Sequence, residues 1–475
     1  MAVEQVDIAI DDAIEAFEGS QDGFSDSEAY YNGEARDLAI GIATPPQLRV
    51  LLAQVGVPRI YVNAIAERLV IEGFRIGDSG ETDEELWSWF RANRLDVQSN
   101  QAFRDALIYG RCYITIAANG DEDSDSENPM LVPDVPIIQV ESPKSLYAEI
   151  NPRTRDVEWA IRVVRDSNGD NVAATMYYPD RTEIYIADEG ELKLEDTINH
   201  GLGIVPVVPM VNPSRLGDLN GESIITPEIR SVTDAMSRAM MNMQTTSELM
   251  ATPQRIIFGS SVDEINGDSL TGLELYASSY IAIEDPQGKA MQLPAAELRN
   301  YTDAISHMLK MAAAYTGLPP QYLSFTNDNP ASAEAIRSSE SRLVRTCEAL
   351  AGVFGDAWEQ AMRIALLVQG SQLTLDHFRM EAVWRDPATP TYQAKADAAQ
   401  KLYAGGSGVI PKEQARIDMG YTPEQRKQME EWDNETPAAQ MAAAYGSSNP
   451  FEKEEVVDEA GDDGAGDSED NPAND

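Results

Sequence analysis

One run of about 40 residues, from Asn329 to Gly370, limits this chain more than any other feature, because its apolar face never breaks. Ile336, Leu343, Cys347, Leu350, Phe354, Trp358, Met362 and Ala365 recur at helical spacing. Asn329 is placed to cap the start and Pro330 is pre-set for the first turn. At ~1.5 Å per residue such a rod is about 60 Å long, which a globular core seldom needs. Two more helices precede it. Pro227 to Met250 carries a stripe of Ile229, Val232, Met236, Met240, Met243 and Met250. Ala295 to Tyr315 carries Leu298, Tyr301, Ile305, Met308 and Ala312, and is stopped by Gly317 and Pro319-Pro320. Between the two lies a small β insertion with the strand-like pieces RIIFG and SYIAIED, so the helices flank it as the legs of a hairpin flank its tip. The Pro/Asn-rich loop LPPQYLSFTNDNPA, residues 318–331, then leads into the long helix.

Upstream, residues 38–110 read as helical: Leu48 to Val55, Val57 to Ile71, Asp83 to Asn93 and Gln98 to Tyr109. After Gly110 the period becomes two, with short strands at Cys112 to Ala117, Pro136 to Glu141, Val157 to Arg165, Ala174 to Pro179 and Thr182 to Ala187. The expectation is an α+β domain with an antiparallel sheet. Downstream come a strand at Met380 to Arg385 and three short helices between Pro390 and Tyr445. Thr-Pro pairs at Thr44, Thr226, Thr389, Thr422 and Thr436 mark helix starts; at Thr252 the pair ends a helix.

The charge is extreme: 80 acids against 36 bases, a formal −44. A binder held by phosphate neutralisation needs a basic surface, so this chain does not clamp nucleic acid. Residues 1–37 hold eleven acids and one Arg, and residues 451–475 eleven acids and one Lys, so each arm is −10 and the middle is −24. The C-terminal arm is low in complexity and reads as disordered. The N-terminal arm has Ile10, Ile14 and Phe17 at helical spacing, the pattern of a segment that folds against a partner. Cys112 and Cys347 stand far apart and build neither a disulfide framework nor a thiolate metal site, which suggests a reducing compartment. The acidic start is unlike a signal peptide, and no apolar run reaches the roughly 18 residues of a membrane span. A soluble protein is expected.

Catalytic chemistry is not legible. There is no GxxxxGK[ST], Gly201-Leu202-Gly203 fails the dinucleotide fingerprint, and Gly405-Gly406-Ser407-Gly408 breaks nucleophile-elbow spacing. Asp121, Asp123 and Asp125 mimic the start of a calcium loop, but Ser126 and Val132 stand where Gly and Glu are required, so a solvated turn is expected. His200, His307 and His377 lie on separate elements without metal spacing. The Met stripe reads as interhelical packing. Arg337, Arg342, Arg345 and Arg363 on the long helix read as ion-pair partners of Glu340, Glu348 and Glu359 rather than as an anion strip. Neither a cofactor nor a metal is expected.

The order of elements resembles the wing, stem, clip, stem, tunnel loop and long wing helix of tailed-bacteriophage portal proteins. Local phrases agree: NAIAERLVIEGFRI from Asn63, ANRLDVQSNQAFRDALIYGRCYITI from Ala92, HGLGIVPVVPMVN from His200 and TGLPPQYLSF from Thr316 are similar to siphophage portals, particularly those of actinobacterial hosts. The resemblance implies an α+β subunit with an acidic arm (1–37), wing (38–222), stem helix (223–251), clip (252–294), second stem helix (295–317) and tunnel loop (318–331). The long wing helix and strand (332–389), a helical crown (390–446) and an acidic tail (447–475) follow. It implies a ring, usually of twelve copies, in the virion at one capsid vertex, assembled in the host cytoplasm. A separate terminase large subunit would drive double-stranded DNA inward through it, and DNA would later leave by the same channel. Head-to-tail adaptor, major capsid and scaffold proteins are the other implied partners.

On that resemblance the clip residues Arg255, Asp263, Glu264 and Lys289 would dock terminase and then adaptor. The tunnel-loop residues Pro319, Pro320, Gln321, Tyr322, Asn327 and Asp328 would reach toward DNA, with Gln321, Tyr322 and Asn327 able to hydrogen bond its backbone. Arg238, Arg299 and Lys310 would form weak basic rings on the stem, or else intersubunit ion pairs. Two other readings stay open. A head protein without a channel would not need the helix, β unit, helix hairpin, and an acidic halophile enzyme would need a catalytic cluster.

Overall fold

The computed structural model describes residues 8–34, 54–77, 82–120, 134–213, 215–250, 255–258, 280–283, 291–292, 297–323, 333–388, 392–403, 408–421 and 425–433. The chain divides into two compact units, Met1–Thr389 and Pro390–Asp475.

In the first unit, helices α1 (Ile10–Gly19), α2 (Phe24–Asn32) and α3 (Val57–Ala66) lead to strand β1 (Ile71–Arg75), then helices α4 (Glu84–Ala92) and α5 (Leu95–Tyr109). Helix α4 forms where Asp83 accepts a hydrogen bond from the Leu86 amide at 2.9 Å, with Glu84 and Glu85 in its first turn. Helix α5 stops at Gly110 and turns straight into β2 (Arg111–Ala117). Strand β2 is the centre of a three-stranded antiparallel sheet between β3 (Ile137–Glu141) and β9 (Val207–Val211). Its first six residues are all buried, which is why it reads as a continuous apolar run. A separate five-stranded antiparallel meander holds β4 (Leu146–Ile150), β5 (Val157–Arg165), β6 (Asn171–Tyr177), β7 (Arg181–Asp188) and β8 (Glu191–Asn199).

Helix α6 (Pro227–Met250) then runs to β10 (Arg255–Phe258), β11 (Tyr280–Ile283) and β12 (Met291–Gln292), and helix α7 (Arg299–Thr316) returns. Strand β10 pairs parallel with β11 and antiparallel with β12, so the insertion is a small mixed sheet rather than one hairpin. A single turn, α8 (Pro320–Leu323), precedes the long helix α9 (Ala333–Val368), 36 residues, which is followed by β13 (Glu381–Trp384). Strand β13 pairs antiparallel with β1, some 300 residues away in sequence, and the ion pairs Arg75–Glu381 and Arg385–Glu72 flank the ladder.

The main core explains the length of α9. Phe354 stacks on Phe103 of α5 at 5.5 Å, Trp358 meets Phe90 of α4 edge-on at 5.3 Å, and Trp358, Ala361, Met362 and Ala365 are fully buried. Toward its start, α9 passes Leu343 and Cys347 into the same core. The helix is thus a spine against which α3, α5, the sheet of β2 and strand β13 pack, and Arg342 near its start reaches the end of α7.

Several expectations change. The segment Val57 to Ile71 is not one helix: it ends at Ala66, and Ile71 opens a strand, because IEGFR finds its partner in β13. The single expected sheet is divided, and three of its strands, β4, β8 and β9, lie outside the segments that alternate clearly in sequence. The N-terminal arm finds its partner within its own subunit. Ala13 and Phe17 of α1 are fully buried against Trp159, Ile161, Val163, Ala174, Met176 and Tyr178 of the five-stranded sheet.

In the second unit, α10 (Tyr392–Tyr403) and α11 (Lys412–Met419) are followed by a helical stretch at 425–433. Charges tie the latter two: Arg416 and Lys412 both reach Asp433, and Arg426 meets Glu413 at 2.9 Å.

Candidate functional site: the helical stem and its anchors

Helices α6 and α7 are the legs around the β insertion. Where α6 ends and α7 begins, Thr246 Oγ1 and Tyr301 OH lie 3.3 Å apart, so the legs run antiparallel. On the inner face, Ile229, Val232, Met236 and Met241 of α6 and Ala312 and Ala313 of α7 are buried. Part of the Met stripe therefore packs in the interior as expected. The outer face of α7 exposes Arg299, Asp303, His307 and Lys310, which the helical repeat brings onto one side. Arg238 is exposed on α6, and none of Arg238, Arg299 and Lys310 pairs with an acid among the described residues.

The foot of α6 is clamped. The Asn212 amide donates to Gly110 O at 2.8 Å, the Glu222 amide to Asn212 O at 3.0 Å and the Ile224 amide to Leu107 O at 3.0 Å. Gly110 and Gly221 both take positive φ, 91° and 75°, and their backbones touch: a Cβ on Gly221 would stand 2.0 Å from Gly110 O. Only glycine fits such an approach. Within the first turn Glu228 carries a carboxyl held below its usual range by a hydrogen bond from Thr226.

The far end of α7 is capped by another element. Gly317 closes the helix in the left-handed region, and Arg342 of α9 donates through Nη1 to Ala314 O at 3.0 Å, placing a cation at the helix C-terminus. For Arg342, then, this interhelical cap takes the place of the expected pairing along α9.

The start of the proline loop is also fixed. Pro319 is buried and Pro320 begins α8 at the surface. Gln321 Nε2 donates to Ser339 Oγ at 3.0 Å. Tyr322 OH donates to Glu340 Oε1 at 2.8 Å and accepts from Arg68 Nη2 at 2.8 Å, while Arg68 and Glu340 stand 3.4 Å apart with side chains only 11% and 12% exposed. Burial, then the Glu340 bond, pushes the Tyr322 phenol up. The hydrogen-bonding groups expected to face DNA at Gln321 and Tyr322 are thus engaged within the subunit. Asn327 and Asp328 lie outside the described residues, as do Asp263, Glu264 and Lys289; Arg255 lies on β10.

Sequence reasoning missed Arg68, Glu340's cross-element role and the Arg342 cap. Arg68 sits within the phrase NAIAERLVIEGFRI, but nothing in the spacing ties it to residue 322. The three histidines stay apart, and among the described residues no cluster of His, Cys, Asp or Glu could hold a metal. Burial pushes the Cys112 thiol well up and that of Cys347 up to about 11, favouring the protonated thiol at both. The Asp121 segment and Ser407 lie outside the described residues. Among the described residues no helix is long and apolar enough to cross a membrane.

The family described as Phage portal protein, SPP1 Gp6-like, matches residues 27–441. The Portal protein of Mycobacterium phage D29 is 50% identical over 436 residues, covering 91% of this chain and 89% of that protein. That of Mycobacterium phage L5 is 49% identical over 445 residues, covering 92% and 90%. A solved chain described as "Neck of native GTA particle computed with C12 symmetry" aligns with 80% of this chain and 95% of its own, at 14% identity and a TM-score of 0.37, too slight a likeness to carry an argument.

Proposed function

Because the chain belongs to the phage portal protein family of the SPP1 Gp6-like type, we propose that α6 and α7 of each copy, set side by side in a ring of about twelve, wall the channel through which DNA enters and leaves the head. As a portal protein it is a structural component of the virion at the capsid vertex, and the family is structural rather than enzymatic. The acidic-enzyme alternative falls away.

The observation that carries the channel reading is the helix hairpin: two legs with an apolar inner face, a hydrophilic outer face and a small mixed sheet at the tip. In this reading residues 252–294 form the clip, where the terminase large subunit and later the adaptor bind, and residues 390–446 form the crown near scaffold and packaged DNA. The wing, 38–222 with 332–389, faces the capsid. Residues 324–331 are the part of the tunnel loop left to approach DNA, since Gln321 and Tyr322 are held within the subunit.

Acidity suits that task. DNA must pass without being gripped, and a polar, acidic wall repels phosphates, whereas a basic one would add counterion-release affinity at every step. Arg238, Arg299 and Lys310, which meet no acid among the described residues, are cations on an acidic background, sufficient to guide a phosphate backbone or to meet acids of the next copy. The test is charge reversal at Asp328→Lys in phage whose portal is supplied only by the variant. A several-fold change in packaged DNA with rings intact is expected. Unchanged packaging with intact rings would remove the loop from the DNA path.

A further inference from the structure

We propose that residues 8–34 are a strap that locks the foot of stem helix α6 to the outer sheet of the same subunit, with Tyr30 and Asp234 as its buckle. Calling α6 a stem rests on the portal reading; the contacts and their test do not.

The strap is fastened along its length: Gln21 Nε2 donates to Pro143 O at 2.8 Å, Lys144 meets Glu28 at 2.8 Å and Tyr31 OH donates to Asn63 Oδ1 at 3.1 Å, and three further groups of contacts join sheet to stem. On the sheet side, Phe17 lies in the apolar cradle described above, Arg165 reaches over its ring at 5.3 Å and Arg165 Nη2 meets Glu18 at 3.0 Å. At the turn between α1 and α2, Arg111 acts as a hub. It is only 6% exposed, and it donates to Ser20 O at 3.3 Å and to Asn220 O, on the segment entering α6, at 3.4 Å. Its guanidinium also lies over Phe24 at 5.5 Å and over Tyr147 of β4 at 5.8 Å. At the stem, Tyr30 OH donates to Asp234 Oδ2 at 2.6 Å in a buried bond. One turn earlier, Arg230 lies over the Tyr30 ring at 5.4 Å, donates to Ser27 Oγ at 2.8 Å and holds Ile225 O at 3.0 Å.

Burial explains why these groups hold. Asp234 is only 6% exposed, in the third turn of α6, so its side-chain oxygen has little water to turn to and the Tyr30 phenol satisfies it. Asp234 and Arg230 are four residues apart and so present one face to α2. The outer side of the strap is different. Asp11, Asp12, Glu15, Asp22 and Asp26 are all exposed and residues 8–34 contain no Lys or Arg, so the strap's own outward charge is wholly acidic. In a ring, this link would carry load between channel wall and wing.

Hydrogen exchange on the full chain tests it. Tyr30→Phe removes one oxygen and leaves the ring; Asp234→Asn keeps the shape and removes the charge. A lost bond to a charged group corresponds to tenfold or more in local opening. Both variants are therefore expected to speed exchange at least tenfold in 24–32 and also in 231–236, with the double variant no faster than the faster single one. Ser27→Ala, which cuts the Arg230 bond and the longer one from Ser27 Oγ to Gly23 O at 3.3 Å, should give a smaller rise in the same two stretches. If Asp234→Asn fails to fold, Tyr30→Phe decides alone. Faster exchange in 24–32 with 231–236 at wild-type rates, or no change in either, would overturn the strap.

Discussion

At the scale of single residues, two glycines answer opposite demands. Gly221 occupies a left-handed φ of 75° with its backbone against Gly110, so a methyl group there adds both strain and a collision. Gly221→Ala is expected to lose about 2–3 kcal/mol or more, read as a lower denaturant midpoint, because the foot of α6 cannot seat. Gly352 lies inside α9 with nothing among the described residues within 4 Å of the place a methyl group would take, so none of them requires glycine there. Gly352→Ala should gain about 0.5–1 kcal/mol by the same measurement on unassembled protein. Equal effects at both sites would contradict the assigned backbone geometry.

Elements are governed by what α9 reaches at each end. Near its start Arg342 caps α7; further along, Glu359 accepts a bond from the Ala382 amide at 3.1 Å and so holds β13. Burial raises the Glu359 carboxyl above its ordinary 4.5, outweighing that bond. The folded state therefore keeps this proton more readily than the unfolded one, and the contribution is full below pH 4.5 and is lost as pH rises through the raised value. Relative to Glu359→Gln, the wild type should lose stability as pH climbs from about 4.5 toward neutrality; parallel midpoints across that range would count against the assignment. The long elements were legible in advance because burial on one side imposes a helical repeat: Pro227–Met250 matches to the residue, and α9 differs only at its ends. What escaped was set by distant partners. Ile71–Arg75 looks like a helix tail until β13 pairs with it, and β8 is too charged and exposed to show a strand pattern. At the candidate site, the residues on α6 and α7 were legible from position along a helix. The Arg68, Tyr322, Glu340 cluster was not, since it joins three elements with no local signal. The same holds for α1, whose partners lie about 150 residues away.

For the whole molecule, the charge of −44 first excludes gripping nucleic acid and then fits a wall that DNA slides past. Some of that charge is now placed: the acids of residues 8–34 face outward from a segment fastened to sheet and stem, rather than from a free arm. In the proposed assembly, copies of this chain close into a ring with α6 and α7 around a hole. Electron microscopy of the purified full-length protein tests it most directly. Closed rings are expected, with a central opening wide enough for duplex DNA and the α6–α7 hairpins along it. Absence of rings at any salt concentration, or rings whose opening is walled by other elements, would contradict it.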